Sequence, residues 1–438
     1  MKRRNSAKKN KENEQEEQLK SEKLQDMFYE YVNVVSPYTK LLVYYDNYSI
    51  RTKRYVEMFK ELERNLKESE EIKQIRTELS IETKYKYKNT IKELVNDYPY
   101  VLKNYLMKHK LININISNAF TKLYEMLYMH IRHIFKNNRP LKAYHMAEAP
   151  GQWIKCLEFF IKNNGLNVNY DWYANTLNPN NEENKRKYNI IFDDKYGLMR
   201  ENIKKWLYGE DNTGDIMNVK NIINIKEELN KNEFTPDLIT SDAGIDIKEN
   251  DVTLLQKLDY AQLINVIILS KKNTNIIIKT FLPYIMNKKE TLSNESVGFF
   301  ISLMYLYVKL FEHIYFYKPM TSGVTTGEFY IIGLKYKNNI TEELKDTLIY
   351  KLENFELNNE IIPHDLIPNY IKYQIFSYLN DILILNNTYI KLEIDFIKII
   401  KDNIITDEFL KILNDIKEKK INYWLFRFDF FNEFEYDA

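Results

Sequence analysis

A chain of 438 residues is long enough for two or three domains, and its 44% apolar and 14% aromatic content allows a sizeable core, which excludes a disordered protein. A net charge of +1 excludes a uniformly basic nucleic-acid binder, so any phosphate-binding site must be a local channel of Lys and Arg. The single cysteine, Cys156, excludes a disulfide framework and a cysteine-rich zinc site, and it fits a reducing compartment.

Residues 1–20 are almost all charged or amide-bearing and are expected to be a disordered tail. No apolar stretch follows its basic start, so no signal peptide is expected. Lys2, Arg3 and Arg4 form too short a cluster to argue for a localisation or RNA patch. From 21 to 110, apolar and charged residues mix at helical spacing, with Lys and Glu densest over Ser69–Asn96; this predicts a helical N-terminal region.

The middle of the chain changes character. Ala143–Ala149 is a short apolar run closed by Pro150 and Gly151 and followed by the amphipathic stretch Trp153–Phe160, which reads as strand, tight turn, helix. Asp171–Leu177 reads as a second strand, and Asp237–Ser241 as a third that ends at Asp242. A helix is predicted over Asp251–Ser270, then a buried strand over Asn275–Phe281 with Lys279 near its end. Val297–Phe311 reads as a helix, and His313–Tyr317 and Phe329–Tyr336 as strands.

The most apolar stretch, Gly298–Tyr317, is interrupted by Lys309, Glu312 and His313, so it reads as a buried helix running into a strand and not as a membrane span. A soluble intracellular protein with no membrane partner is expected, in cytoplasm or nucleus. From 338 to 438 the pattern is again mainly helical. The aromatic segment Ile421–Phe431 reads as a terminal segment docked on a core, in preference to a base-stacking surface.

Strands alternating with helices predict an α/β fold: a Rossmann-like sheet with helices on both faces, flanked by mainly helical N- and C-terminal regions. In such sheets ligands bind at the carboxyl ends of the strands. Three predicted strand ends carry unusual residues: Pro150 with Gly151, Asp242, and Lys279. A strand turning sharply into a helix brings backbone N–H groups and a small residue beside a ligand, and a helix N-terminus offers open donors to a carboxylate. Asp242 and Lys279, each ending a buried strand, are costly there unless paired or functional. Neighbouring strands would set them side by side. His130 and His133 share a helical face, but with no acids or cysteines beside them they do not argue for a metal.

Two more residues turn the pair into a pattern. Lys122 lies in Ser117-Asn118-Ala119-Phe120-Thr121-Lys122-Leu123-Tyr124-Glu125, and Glu328 in Thr325-Thr326-Gly327-Glu328-Phe329-Tyr330. With Asp242 and Lys279 they resemble the Lys-Asp-Lys-Glu tetrad of the FtsJ-like RNA 2′-O-methyltransferases. The likeness is greatest to the cap-specific mRNA enzymes, above all those of the second transcribed nucleotide, and to an FtsJ-like class in large DNA viruses. It is carried by Glu148-Ala149-Pro150-Gly151, Trp172 to Pro179, Asp211 to Met217, Thr240-Ser241-Asp242 and Lys318 to Ser322, and covers about residues 115–337.

The resemblance implies a methyltransferase domain over 111–337, S-adenosylmethionine as cofactor and no metal. It implies that Glu148, Ala149, Pro150 and Gly151 shape the methionine end of the cofactor site and that Trp172 and Asp215 border the adenosine. Asp242 would lie beside both cofactor and catalytic lysine. Lys122, Asp242, Lys279 and Glu328 would surround the target ribose, with Lys279 as general base. Capped mRNA would be the substrate, and the flanks would meet other capping or transcription proteins. The sequence departs from the family's pattern at Gln152, where a second small residue is usual, at Gly323, where a basic residue is usual, and at Gly327, often Ser. The alternatives are a 2′-O-methyltransferase of internal rRNA or tRNA sites and an inactive RNA-binding scaffold in a capping assembly. A dehydrogenase lacks its Gly-x-Gly-x-x-Gly here, and a P-loop enzyme its Gly-Lys-Ser/Thr loop.

Overall fold

Burial alternates along Asn275–Phe281: Ile276 and Ile278 join one apolar core and Ile277 another. That alternation places the strand in the middle of a sheet covered on both faces. The computed structural model describes residues 38–42, 52–82, 98–112, 114–135, 139–188, 194–244, 252–283, 294–356, 359–402 and 407–430. The expected charged tail at 1–20 lies outside them.

The described strands are β1 (Tyr38–Leu42), β2 (Leu141–Met146), β3 (Tyr170–Ala174), β4 (Leu238–Ser241), β5 (Asn275–Phe281), β6 (Phe311–Lys318) and β7 (Glu328–Tyr336). They form one sheet in the order β1-β6-β7-β5-β4-β2-β3. β3, β2, β4 and β5 run parallel, while β7, β6 and β1 add antiparallel pairs. The chain leaves β2 toward β3 on one side and returns to β4 on the other. β2 is therefore the topological switch point, and the crevice at its carboxyl end is where such sheets hold ligands.

The helices are α1 (Thr52–Glu82), α2 (Tyr98–Lys108), α3 (Asn118–Met126), α4 (Gln152–Asn163), α5 (Glu182–Tyr188), the single turn α6 (Leu198–Glu201), α7 (Val219–Lys231), α8 (Val252–Leu269), α9 (Asn294–Leu310), α10 (Glu342–Glu353), α11 (Asn369–Asp402) and α12 (Asp407–Arg427). α7, α8, α9 and the first half of α11 cover one face of the sheet, with Ile222, Ile264, Met304 and Phe376 against Ile239, Ile276, Ile331 and Phe316. α3, α4 and α12 cover the other, with Phe120, Leu157 and Trp424 against Ala143, Leu238, Ile277 and Ile332. Each such apolar side chain contributes about 1.5–3 kcal/mol on full burial.

The α/β fold with helices on both faces is the one the sequence predicts. Strand boundaries move by a few residues: β2 ends at Met146 and β3 at Ala174, each three short of its apolar run. The helical reading of 21–110 missed β1, which pairs antiparallel with β6 in the register Tyr38 to Lys318. Gly298–Tyr317 is a helix passing directly into a strand, and among the described residues no helix is long and apolar enough to cross a membrane. The C-terminal aromatics divide: Trp424, Phe428 and Phe430 are buried against α3 and α4, while Phe426 is 86% exposed. α11 packs along α1, where Asn65 Nδ2 donates to Asn380 Oδ1 at 3.0 Å.

Candidate active site

The turn after β2 is shaped by Gly151, which has φ 100°, a left-handed conformation that side chains rarely adopt. A Cβ there would also stand 2.3 Å from Leu198 Cδ1, so a side chain would have to push Leu198 aside. Pro150 and half-buried Ala149 complete it. Glu148 is buried, and its Oε1 accepts the N–H of Trp153 at 2.6 Å and of Ile154 at 3.2 Å. The open helix donors expected for a ligand carboxylate are thus partly taken by the chain's own Glu148, because α4 starts one residue after the turn and Glu148 reaches its first N–H groups. Burial pushes the Glu148 carboxyl up to about 8, against those two N–H donors, and the Asp242 charge adds to the rise.

Gln152, the departure from the family's small residue, opens α4. Its Oε1 accepts from Ser117 N at 2.5 Å and Tyr196 Oη at 2.7 Å, tying the turn to the start of α3 and to the 194–206 segment. That segment also carries Lys195, Arg200, Lys204 and Lys205, of which Arg200 pairs with Asp194 at 3.7 Å and Lys205 with Asp171 at 2.6 Å.

Trp172 is not at a strand mouth. It stands in the middle of β3, opposite Ala143, buried with Ile154, Leu198 and Trp206. The residue at the end of β3 is Asn175, whose backbone carbonyl accepts from Glu148 N at 2.9 Å. Asp215 lies in a turn in which Gly214, with φ 73°, would place a Cβ 1.8 Å from the Thr176 carbonyl oxygen. The Asp211–Met217 and Trp172–Pro179 stretches are therefore pressed together, and Asn178 N donates to Thr213 O at 2.8 Å. Asp215 Oδ1 accepts from Met217 N at 2.8 Å.

The four residues of the tetrad converge from three strand ends and one helix. Parallel pairing of Ser241 with Ile278 puts Asp242 beside Lys279, whose Nζ is 3.3 Å from Asp242 Oδ1 and donates to the Asp242 carbonyl at 2.8 Å. Lys122, from α3, meets Glu328, at the start of β7, with Nζ to Oε1 at 2.6 Å. Burial pulls Lys122 down, but the Glu328 and Asp242 charges outweigh it and hold its ammonium above the usual range. Burial pushes Glu328 up, but Lys122, Lys279 and Lys318 outweigh it and hold the carboxyl down at about 2.

Three further residues join the site. Tyr330, opposite Lys279 in the β5–β7 pair, donates its hydroxyl to Asp242 Oδ1 at 2.9 Å, and the same oxygen is 3.5 Å from Glu328 Oε1. Lys318, at the end of β6, braces the following loop by donating to the carbonyls of Gly323, Thr326 and Glu328. Burial lowers its pKa to about 7. Ser322 donates to Glu328 Oε1 at 2.8 Å. Of the two positions where the family differs, Gly323 contributes only its backbone carbonyl, which accepts from Lys318, whereas Gly327 lies against Leu282, to which a Cβ would come within 3.3 Å.

Two buried polar atoms at the crevice have no partner among the described residues: Gln152 Nε2 beside the turn and Asn175 Oδ1 at the end of β3. Buried polar groups are normally paired, so a donor and an acceptor left open at a strand-end crevice fit a small polar ligand. These residues fit S-adenosylmethionine. Among the described residues no cluster of His, Cys, Asp and Glu has the arrangement of a metal site.

The sequence is similar to several proteins. An uncharacterized protein of Acanthamoeba polyphaga mimivirus is 32% identical over 59% of this chain and 31% of its own length. A cap-specific mRNA (nucleoside-2′-O-)-methyltransferase 2 of Mus musculus is 28% identical over 53% of this chain and 29% of its own. A probable methyltransferase of African swine fever virus is 26% identical over 55% of this chain and 54% of its own. The chain thus spans about a third of the length of the first two relatives and about half of the third. Residues 116–336, which hold all four residues of the Lys-Asp-Lys-Glu cluster, match the FtsJ-like methyltransferase family, and the chain belongs to that family.

Proposed function

We propose that this chain transfers a methyl group from S-adenosylmethionine to a ribose 2′-hydroxyl of RNA, at a cap-proximal nucleotide of mRNA. The observation that supports it most is the convergence of two lysine–carboxylate pairs, Lys122 with Glu328 and Lys279 with Asp242, at one end of the sheet. The cap-proximal assignment rests on the similarity to cap-specific enzymes.

A ribose hydroxyl is a poor nucleophile at neutral pH, so catalysis must position it and remove its proton. When bound, the sulfonium cofactor supplies an already activated methyl group. Glu148 to Gly151, Asn175 and Asp215 hold the cofactor at the switch point. Trp172 supports the same crevice from within the core. Lys122 stays an ammonium and steers the ribose oxygen by charge and hydrogen bonding. Lys279 takes the hydroxyl proton, held at its backbone and side-chain contacts by Asp242. Alignment by these groups can supply much of the acceleration, and proton removal a further ~10²–10⁴-fold. The flanking helices are the place for other capping or transcription proteins.

The test is transfer of labelled methyl from S-adenosylmethionine to capped and uncapped RNAs of one sequence, with the modified nucleotide mapped. Label on a cap-proximal ribose of the capped RNA alone is expected. Equal labelling of both RNAs would point instead to an internal target in rRNA or tRNA. Absence of both labelling and cofactor binding would leave an RNA-binding scaffold.

A further inference from the structure

Glu125 is a buried carboxylate that the proposed chemistry does not use. It lies one turn from Lys122 on α3 and is 0% exposed. Five donors converge on it. Met320 N (2.7 Å) and Tyr317 Oη (3.3 Å) donate to Oε2. Thr321 N (2.9 Å), Thr321 Oγ1 (2.5 Å) and Trp424 Nε1 (3.0 Å) donate to Oε1. A buried carboxylate costs several kcal/mol unless its lone pairs are met, and here N–H and O–H groups from three separate parts of the chain meet them.

Those parts are functionally distinct. Tyr317 ends β6. Met320 and Thr321 begin the loop that carries Ser322, which donates to Glu328, the partner of Lys122 at the start of β7. Trp424 belongs to α12, outside the stretch that matches the family. The indole is fully buried, its ring 5.8 Å from that of Tyr124, the neighbour of Glu125. Phe430 packs on the same tyrosine at 4.8 Å, and its carbonyl accepts from Asn163 Nδ2 of α4. The C-terminal helix is therefore fastened to the two helices that frame the site.

We propose that Glu125 and Trp424 are positioning residues: the indole N–H completes the shell of the Glu125 carboxylate, which fixes the 318–328 loop against α3 and so sets the Lys122–Glu328 pair. The C-terminal helix is by this account a working part of the methyltransferase site. The catalytic half of the inference rests on the function proposed above; the clamp itself does not. Burial pushes the Glu125 carboxyl up to about 7 against these donors; a hydrogen bond to its ionised form contributes about 1.5–3 kcal/mol, and a small misplacement of reacting groups costs about a hundred-fold in rate.

The experiment uses the full chain with Trp424→Phe, which keeps an aromatic ring and removes the N–H, and with Thr321→Val, which removes the hydroxyl donor from the loop side. Amide hydrogen exchange of 318–328 is read beside kcat for methyl transfer and the dissociation constant of S-adenosylmethionine. Both variants should exchange about ten-fold faster in 318–328, with strands β2 and β4 unchanged, and lose about ten-fold or more in kcat with cofactor affinity within about two-fold. Unchanged exchange in 318–328 overturns the clamp. Faster exchange throughout the sheet also overturns it, because Trp424 would then be general packing. Faster loop exchange with an unaltered kcat overturns the positioning role. If the unaltered chain transfers no methyl group, the proposed function fails while the exchange result still decides the clamp.

Discussion

Tyr330 Oη lies 2.9 Å from Asp242 Oδ1, joining β7 to the end of β4 across β5. Asp242 Oδ1 also lies 3.3 Å from Lys279 Nζ, so one carboxylate oxygen serves both a phenol and the lysine side-chain nitrogen. The phenol stands between the two lysine–carboxylate pairs and fixes the direction from which Asp242 meets Lys279.

Tyr330→Phe removes that hydroxyl and leaves the ring packed beside Trp153, at 6.0 Å between centroids. A hydrogen bond to a charged group contributes about 1.5–3 kcal/mol, so turnover should fall by about ten- to a hundred-fold with little change in cofactor affinity. Steady-state kinetics with titration of S-adenosylmethionine checks it. Unaltered turnover would make Tyr330 a core residue only.

Lys279→Ala removes the proposed base, and transfer should fall by at least about 10³-fold while cofactor binding persists. Asp242→Ala should instead weaken both binding and turnover, since Asp242 sits between the lysine and the crevice. Calorimetric binding beside single-turnover transfer separates the two. Near-normal turnover in Lys279→Ala would remove it from the role of base.

The sheet was legible in the sequence because buried parallel strands are short apolar runs, and the Asp242–Lys279 meeting followed from two such strands lying side by side. Trp172 was harder. Its motif marks the crossing to the crevice, but the side chain points into the core and the strand mouth belongs to Asn175, a residue with no distinctive pattern. Tyr330 reads as one more apolar strand residue until its hydroxyl partners are known. β1 is an edge strand fixed by its register with β6, and Tyr38–Leu42 has no alternation of its own to show it.

The Lys122–Glu328 pair should set an acid limit on stability. An unfolded glutamate titrates near ~4.3, and Glu328 is held at about 2. A carboxyl with a depressed folded pKa adds stability that is fully present above the unfolded value and drains away as pH falls through the folded one. The advantage of the native chain over Glu328→Gln should therefore be constant above about pH 5 and shrink from there toward about pH 2. Urea unfolding of both across that window measures it. A difference that stays level down to about pH 2.5 would mean that Glu328 is not held as an anion.

Gly214 and Gly165 both have positive φ, 73° and 57°, but their surroundings differ. A Cβ at Gly165 meets nothing within 4 Å, whereas at Gly214 it would stand 1.8 Å from the Thr176 carbonyl oxygen, a backbone atom that cannot swing aside. Gly165→Ala should cost only the conformational strain, about 1–2 kcal/mol. Gly214→Ala should cost about 4 kcal/mol or more, because either the Asp211–Met217 turn or the Thr176–Asn178 turn must move. Those turns border the proposed cofactor crevice, so the same variant should bind S-adenosylmethionine at least about ten-fold more weakly, while Gly165→Ala binds it normally. Denaturant midpoints and calorimetric titration compare the pair. Equal stability losses would show that strain alone matters at Gly214. Normal cofactor affinity in a destabilised Gly214→Ala would place the adenosine elsewhere than between these turns.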